Sequence, residues 1–128
     1  MGNGTPIGQV RGLGSAKEGA HHWWQQRLTA GANLVLMLWF VISVALLPAY
    51  DYATIAAWLS SPLAAVPLIL LVGTVCYHIR LGLQVVIEDY QHDETRIVMI
   101  VLLNFFTIAI AVTALFSILK IALTSTPA

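Results

Sequence analysis

Charge is scarce in this 128-residue chain: only 9% of its residues are Asp, Glu, Lys or Arg, while 59% are hydrophobic. Soluble domains carry roughly 25% charged residues, so the deficit excludes an ordinary soluble domain and points to a bilayer. Six basic and six acidic residues cancel to a formal net charge of zero, which leaves no basic surface for nucleic acid. The single cysteine, Cys76, excludes an intrachain disulfide and a Cys-based metal centre. It sits in an apolar run and reads as a small buried hydrophobe. Residues 1–20 are Gly-rich and polar, with Arg11 and Lys17. They lack the apolar core of a cleaved signal peptide and are expected to form a cytoplasmic tail. No internal repeat is visible.

What the chain has is apolar length. Three long runs cover about residues 28–47, 63–87 and 97–123. A helix needs about 20 residues to cross the hydrocarbon core, and lipid offers no hydrogen-bond partners to any other open backbone. The expected fold is therefore all-α: an integral membrane protein with three transmembrane helices. Residues 1–27 form a tail and interfacial segment, and residues 28–123 the membrane domain. Pro48 and Pro62 bracket the first loop, which has room for a short surface helix. Its Tyr50, Tyr52 and Trp58 suit an interfacial belt. Arg11, Lys17 and Arg27 precede the first span, the first loop has no Lys or Arg, and Arg96 lies in the second loop. The positive-inside rule then puts the N-terminus in the cytoplasm and the C-terminus outside.

The second span ends in "CYHIRLGLQVVIEDYQH", Cys76 to His92. At about 100° per residue, His78, Gly82, Val85 and Asp89 fall on one helical face together with Thr74. Asp89 lies about 16 Å along the axis from His78. A neutral imidazole is a good axial ligand for haem iron, and a glycine one turn on lets a bulky group approach the helix. The plainer alternative is that His78 hydrogen-bonds a neighbouring helix. Likewise Gly82 alone is an ordinary packing residue, and Glu88-Asp89 an ordinary solvated helix end. Arg80 lies roughly opposite His78, placed to snorkel or to meet a partner's carboxylate. One histidine cannot fill two axial positions. No other histidine lies in a span, so a bis-histidine haem requires its second ligand from another chain.

The first span opens with "HHWWQQRLTA". Trp23 and Trp24 are ordinary interface anchors, and Arg27 an ordinary positive-inside charge. The sharper reading sets Arg27 level with Asp89 and Tyr90, where it binds a haem propionate or pairs with Asp89. His21 and His22 are too local for a metal site.

Together "HHWWQQRLTA" and "YHIRLGLQVVIEDYQH" resemble the hydrophobic membrane-anchor subunits of succinate dehydrogenase, respiratory complex II of the tricarboxylic acid cycle and respiratory chain. The most specific part is the histidine followed by Gly at +4, Gln at +6 and Asp-Tyr at +11 and +12. The resemblance implies a three-helix half of a six-helix bundle, built by two different anchor chains in the inner (cytoplasmic) membrane, with a periplasmic C-terminus. It implies haem b held between the two anchors, with His78 as this chain's iron ligand and Gly82 against the haem. It places Arg27 near the haem propionates and quinone pocket, and Tyr90 with Asp89 at the ubiquinone site. The implied partners are the companion anchor, which brings the second haem ligand, the iron–sulfur protein with its clusters, and the flavoprotein, which oxidises succinate on its flavin. Two alternatives stay open: the anchor of a related fumarate reductase, and a small transporter component with His78 and Arg80 on a polar path.

Overall fold

The structure, a computed structural model, describes residues 19–124. Within them the chain forms α1 (Gly19–Ala45), α2 (Tyr52–Ser60), α3 (Pro62–Tyr90) and α4 (Asp93–Thr124), and no strand. The reading of residues 1–18 as a cytoplasmic tail lies outside the described residues. The fold is all-α, and α1, α3 and α4 are each long and apolar enough to span a membrane. With 27, 29 and 32 residues, they are about 40, 44 and 48 Å long at 1.5 Å per residue. Each exceeds the ~30 Å hydrocarbon core, so their ends reach into the headgroup layer.

All three long helices reach further toward the N-terminus than their apolar runs; α3 and α4 also end beyond theirs, whereas α1 stops at Ala45, short of Leu47. α1 is already helical at Gly19, well before Leu28, and its early turns have an inner face. His22, Gln25 and Gln26 are half-buried there, while Trp23 and Trp24 point outward. α3 starts at Pro62 in the first helical turn, where a missing N–H costs no hydrogen bond. α2 occupies the room foreseen in the first loop. Asp51 stands at its N-cap position in extended backbone. The Thr54 hydroxyl donates to Asp51 Oδ1 at 2.6 Å, and that bond holds the Asp51 carboxyl below its ordinary pKa of 3.8.

Packing makes α3 the central span. It packs closely on both α1 and α4, whereas the backbones of α1 and α4 nowhere come close to each other, and α2 lies against α3 and α4. The apolar core is Leu59, Ala65 and Ile118, with Ile55, Trp58 and Ile69 packed around it. It joins α2, the start of α3 and the end of α4, at the opposite end from Tyr90. Trp58 stacks on Trp39 of α1 at 6.1 Å between ring centroids and tilts against Phe40 at 6.5 Å. Trp58 thus serves packing more than the interface, while Tyr50 and Tyr52 stay exposed as interfacial residues do.

Only Gln91 and His92 separate α3 from α4. The Gln91 N–H closes the helix on Ile87 O at 2.9 Å. Asp93 then takes φ +55°, a left-handed conformation that Asp adopts more readily than most residues. Asp93 and Glu94 in the first turn of α4 also suit the positive end of its dipole. The chain therefore reverses immediately beyond Tyr90.

Candidate functional site

The α1–α3 seam carries His78. Thr29 of α1 is buried, at 9% exposure, and its Oγ1 lies 2.9 Å from His78 Nδ1. The same hydroxyl lies 2.9 Å from Gln25 O and 3.1 Å from Gln26 O. One turn further along, Gly82 faces Gln26: a Cβ built on Gly82 would sit 3.6 Å from Gln26 Nε2, an ordinary van der Waals distance. The pairings Thr29–His78 and Gln26–Gly82 show that α1 and α3 run antiparallel. His22, Gln26, Thr29 and Asn33 recur at helical spacing and line the inner face of α1. His22 Nε2, Gln26 Oε1 and Asn33 Oδ1 are buried without a hydrogen-bond partner among the described residues. Hydrocarbon penalises such atoms, so this seam is polar well beyond what packing two helices requires.

His78 thereby uses Nδ1 as the plainer reading expects, on a neighbouring helix, while Nε2 is not engaged by Thr29. One imidazole fits one axial position of a haem. Among the described residues no three His, Cys, Asp or Glu side chains come together as a metal site.

Arg80 points the other way, toward α4, where Asn104 Oδ1 accepts its Nε–H at 2.5 Å. Arg80, expected from sequence to snorkel or to meet a partner's carboxylate, has a neutral amide of its own chain as its neighbour. Arg80 also borders a recess of about 350 Å³ with His21, His22, Gln25, Tyr77 and Gln84. At its mouth His21 Nε2 lies 2.8 Å from Gln25 Nε2.

Asp89 and Tyr90 end α3, both exposed, Tyr90 at 77%. Asp89 continues the His78–Gly82 line. Tyr90 is about 100° round the helix from Asp89, on the side of Leu83 and Val86, which line an apolar groove against Met99 and Phe106 of α4. Gln84 Nε2 donates to Glu88 Oε1 at 2.8 Å, which ties Glu88 back along the helix. Arg27 stands about 160° round α1 from Thr29. Its guanidinium lies over the Trp23 ring, 5.2 Å from the centroid, a cation–π contact. It borders an outward surface with Trp24, Leu28 and Gly31. The structure therefore brings His78 and Gly82 together against α1, sets Asp89 and Tyr90 at the open end of α3, and leaves Arg27 on the outer face.

Three residues at the site were not singled out by sequence: Thr29, Gln26 and Asn104. Thr29 is inconspicuous because threonine is common in spans. Asn104 left a signal, since it is the one amide side chain in α4, and a lone amide in lipid needs a partner.

The sequence profile of the succinate dehydrogenase/fumarate reductase transmembrane subunit family matches residues 1–116. The chain is 36% identical over 114 residues to the succinate dehydrogenase hydrophobic membrane anchor subunit of Rickettsia bellii, covering 86% of this chain and 91% of that one. It is 30% identical over 119 residues to the protein of the same name from Paracoccus denitrificans, covering 93% and 92%. With the succinate dehydrogenase membrane anchor subunit of Reclinomonas americana it shares 33% over 98 residues, 73% of this chain and 82% of that one. No solved structure matches. A profile that spans most of the chain, relatives of matching length and three membrane-length helices agree: this chain belongs to the succinate dehydrogenase/fumarate reductase transmembrane subunit family.

Proposed function

We propose that this chain is the membrane anchor of a succinate:ubiquinone oxidoreductase, holding one face of a haem b and one wall of the quinone-reduction site. The observation that carries the proposal is the arrangement of α3: one half-buried histidine inside the span, and an exposed Asp-Tyr pair at its end. His78 supplies the iron ligand, and the companion anchor supplies the other. Gly82 leaves the helix surface low beside it. A haem b held there would supply one-electron redox chemistry.

Tyr90 acts at the quinone. Its hydroxyl donates to a quinone carbonyl oxygen and stabilises negative charge as it develops there. Asp89, one residue before, orients the polar groups around Tyr90 and takes part in proton delivery. Arg27 meets a propionate or the quinone pocket from α1 once partner chains cover its outer face. Succinate is oxidised on the flavoprotein, and electrons arrive through the iron–sulfur protein. The family includes fumarate reductase members, and these residues work at the quinone end whichever way electrons run. The N-terminus and the α3–α4 turn face the cytoplasm across the inner membrane, and the C-terminus faces the periplasm.

Purification through a tag on this chain in mild detergent tests the proposal. Flavin, iron–sulfur protein and a low-spin haem b should copurify, and His78→Ala should lose the bis-histidine spectrum. A colourless complex that retains all its partners, or an unchanged spectrum in His78→Ala, overturns the haem assignment.

A further inference from the structure

We propose that Thr29 is a positioning residue for His78: its hydroxyl, anchored on the backbone of α1, fixes the imidazole in the tautomer with Nε2 unprotonated. The inference rests on the reading of His78 as a haem ligand and adds a residue from a different helix.

The argument is a count of protons and lone pairs. A threonine hydroxyl has one proton to give and two lone pairs to receive. Around Thr29 Oγ1 stand three groups: Gln25 O at 2.9 Å, Gln26 O at 3.1 Å and His78 Nδ1 at 2.9 Å. The two carbonyls only accept. In one arrangement the hydroxyl donates to the carbonyls and Nδ1–H donates to the hydroxyl oxygen. In the other the hydroxyl donates to Nδ1, and the ring proton sits on Nε2. The first arrangement makes two hydrogen bonds, the second makes one and leaves an N–H to be satisfied inside the membrane. An unpaired donor in an apolar medium is costly, and hydrogen bonds within a membrane span have no water to replace them. The first arrangement therefore wins, and it leaves Nε2 with a free lone pair.

The position of that hydroxyl is set by the helices. Threonine is β-branched and stiff at χ1, and bonding to the carbonyls three and four residues back holds Oγ1 against α1. Gly82 lies opposite Gln26 one turn along the same seam, and the antiparallel packing of α1 on α3 there puts Thr29 within reach of the ring. The plane of the imidazole thus follows from α1–α3 packing within this chain. Groups that hold the far nitrogen of a ligating histidine set its orientation and basicity, and losing one typically costs 10–100-fold in metal affinity or activity.

The test compares complexes purified through this chain with Thr29→Val, which keeps the shape and removes the hydroxyl, Thr29→Ser, which restores it, and His78→Ala. Three readouts are taken: haem per copy of this chain, the low-spin electron paramagnetic resonance signal, and carbon monoxide uptake by the reduced haem. In Thr29→Val, a ligand bond weakened by about 10–100-fold should shift the signal and admit carbon monoxide, while Thr29→Ser behaves as wild type. If Thr29→Val fails to assemble, Thr29→Ala carries the same expectation. A wild-type signal without carbon monoxide uptake in the hydroxyl-free variant overturns the role of Thr29, as does a serine variant that behaves like valine. Loss of the signal in His78→Ala alone then leaves the ligand reading standing. A wild-type signal in His78→Ala removes that reading, and this inference with it.

Discussion

Arg80 and Asn104 meet across the α3–α4 seam, with the guanidinium Nε–H donating to the amide oxygen at 2.5 Å. Arg80 lies about 15 Å up α3 from Tyr90, and Asn104 about 16 Å up α4 from Asp93, so the pair sits at one depth inside the span. Lipid offers a guanidinium no hydrogen-bond partner at that depth, and Asn104 provides an acceptor.

Asn104→Leu should therefore destabilise the assembly by about 1–2 kcal/mol, between the value of an average interhelical hydrogen bond in a membrane and one to a charged group. Arg80→Leu combined with Asn104→Leu should recover much of that loss, because no charge is then left stranded. The thermal dissociation midpoint of the detergent-solubilised complex measures both. A single variant as stable as wild type would show that Arg80 finds another acceptor at no cost.

Gly82→Ala separates packing inside this chain from contact with something outside it. The added Cβ would lie 3.6 Å from Gln26 Nε2, so α1 and α3 should still pack, and alanine favours a helix by about 0.5–1 kcal/mol over glycine. The anchor should accumulate normally by immunoblot while its haem content falls. Full haem content alongside normal accumulation would remove Gly82 from the haem surface.

Tyr90→Phe should leave folding untouched, since the side chain is 77% exposed. Loss of its hydroxyl donor should slow quinone reduction by at least about tenfold, a modest fraction of what one donor to a developing oxyanion is typically worth. Succinate oxidation by an artificial dye should be unchanged. Parallel losses in the two assays would count against a quinone role for Tyr90.

Asp51 gives a prediction at the opposite membrane face. The Thr54 hydroxyl lowers its pKa from 3.8, so the folded value lies below the unfolded one. The contribution of this bond is then present above about pH 4 and fades as pH falls through the folded value. Thr54→Val should bring the carboxyl back toward 3.8. Titration of the Asp51 carboxyl carbon by nuclear magnetic resonance should find the wild-type midpoint below that of the variant; equal midpoints would contradict the assignment.

The three spans were legible because lipid demands about 20 apolar residues at a stretch, and their order needs no tertiary information. The helical turns of α1 ahead of Leu28 were not legible. His22 and Gln26 look like surface residues until α3 provides a face for them, so hydropathy placed the membrane segment at Leu28. Within the site, the helical count put His78, Gly82 and Asp89 on one line and Arg80 opposite, and α1 and α4 occupy those two sides. The identities of Thr29 and Asn104 as partners depend on the antiparallel registers of two helix pairs, which no local pattern encodes. Arg27 shows the same limit: its place in sequence sets its depth, but only the packed face of α1 reveals that it lies outward over Trp23.

The central place of α3 also bears on how the protein is made. Synthesis delivers α1 first, then α2 and α3, then α4. Since the backbones of α1 and α4 stay apart and each packs on α3, every span that enters the bilayer after the first meets its immediate predecessor as its main packing partner. No span has to be threaded between two that are already in place, and the Gln91–His92 turn delivers α4 directly against α3. Large apolar side chains on all three spans remain exposed, so partner chains can be added to the finished unit without reopening its packing.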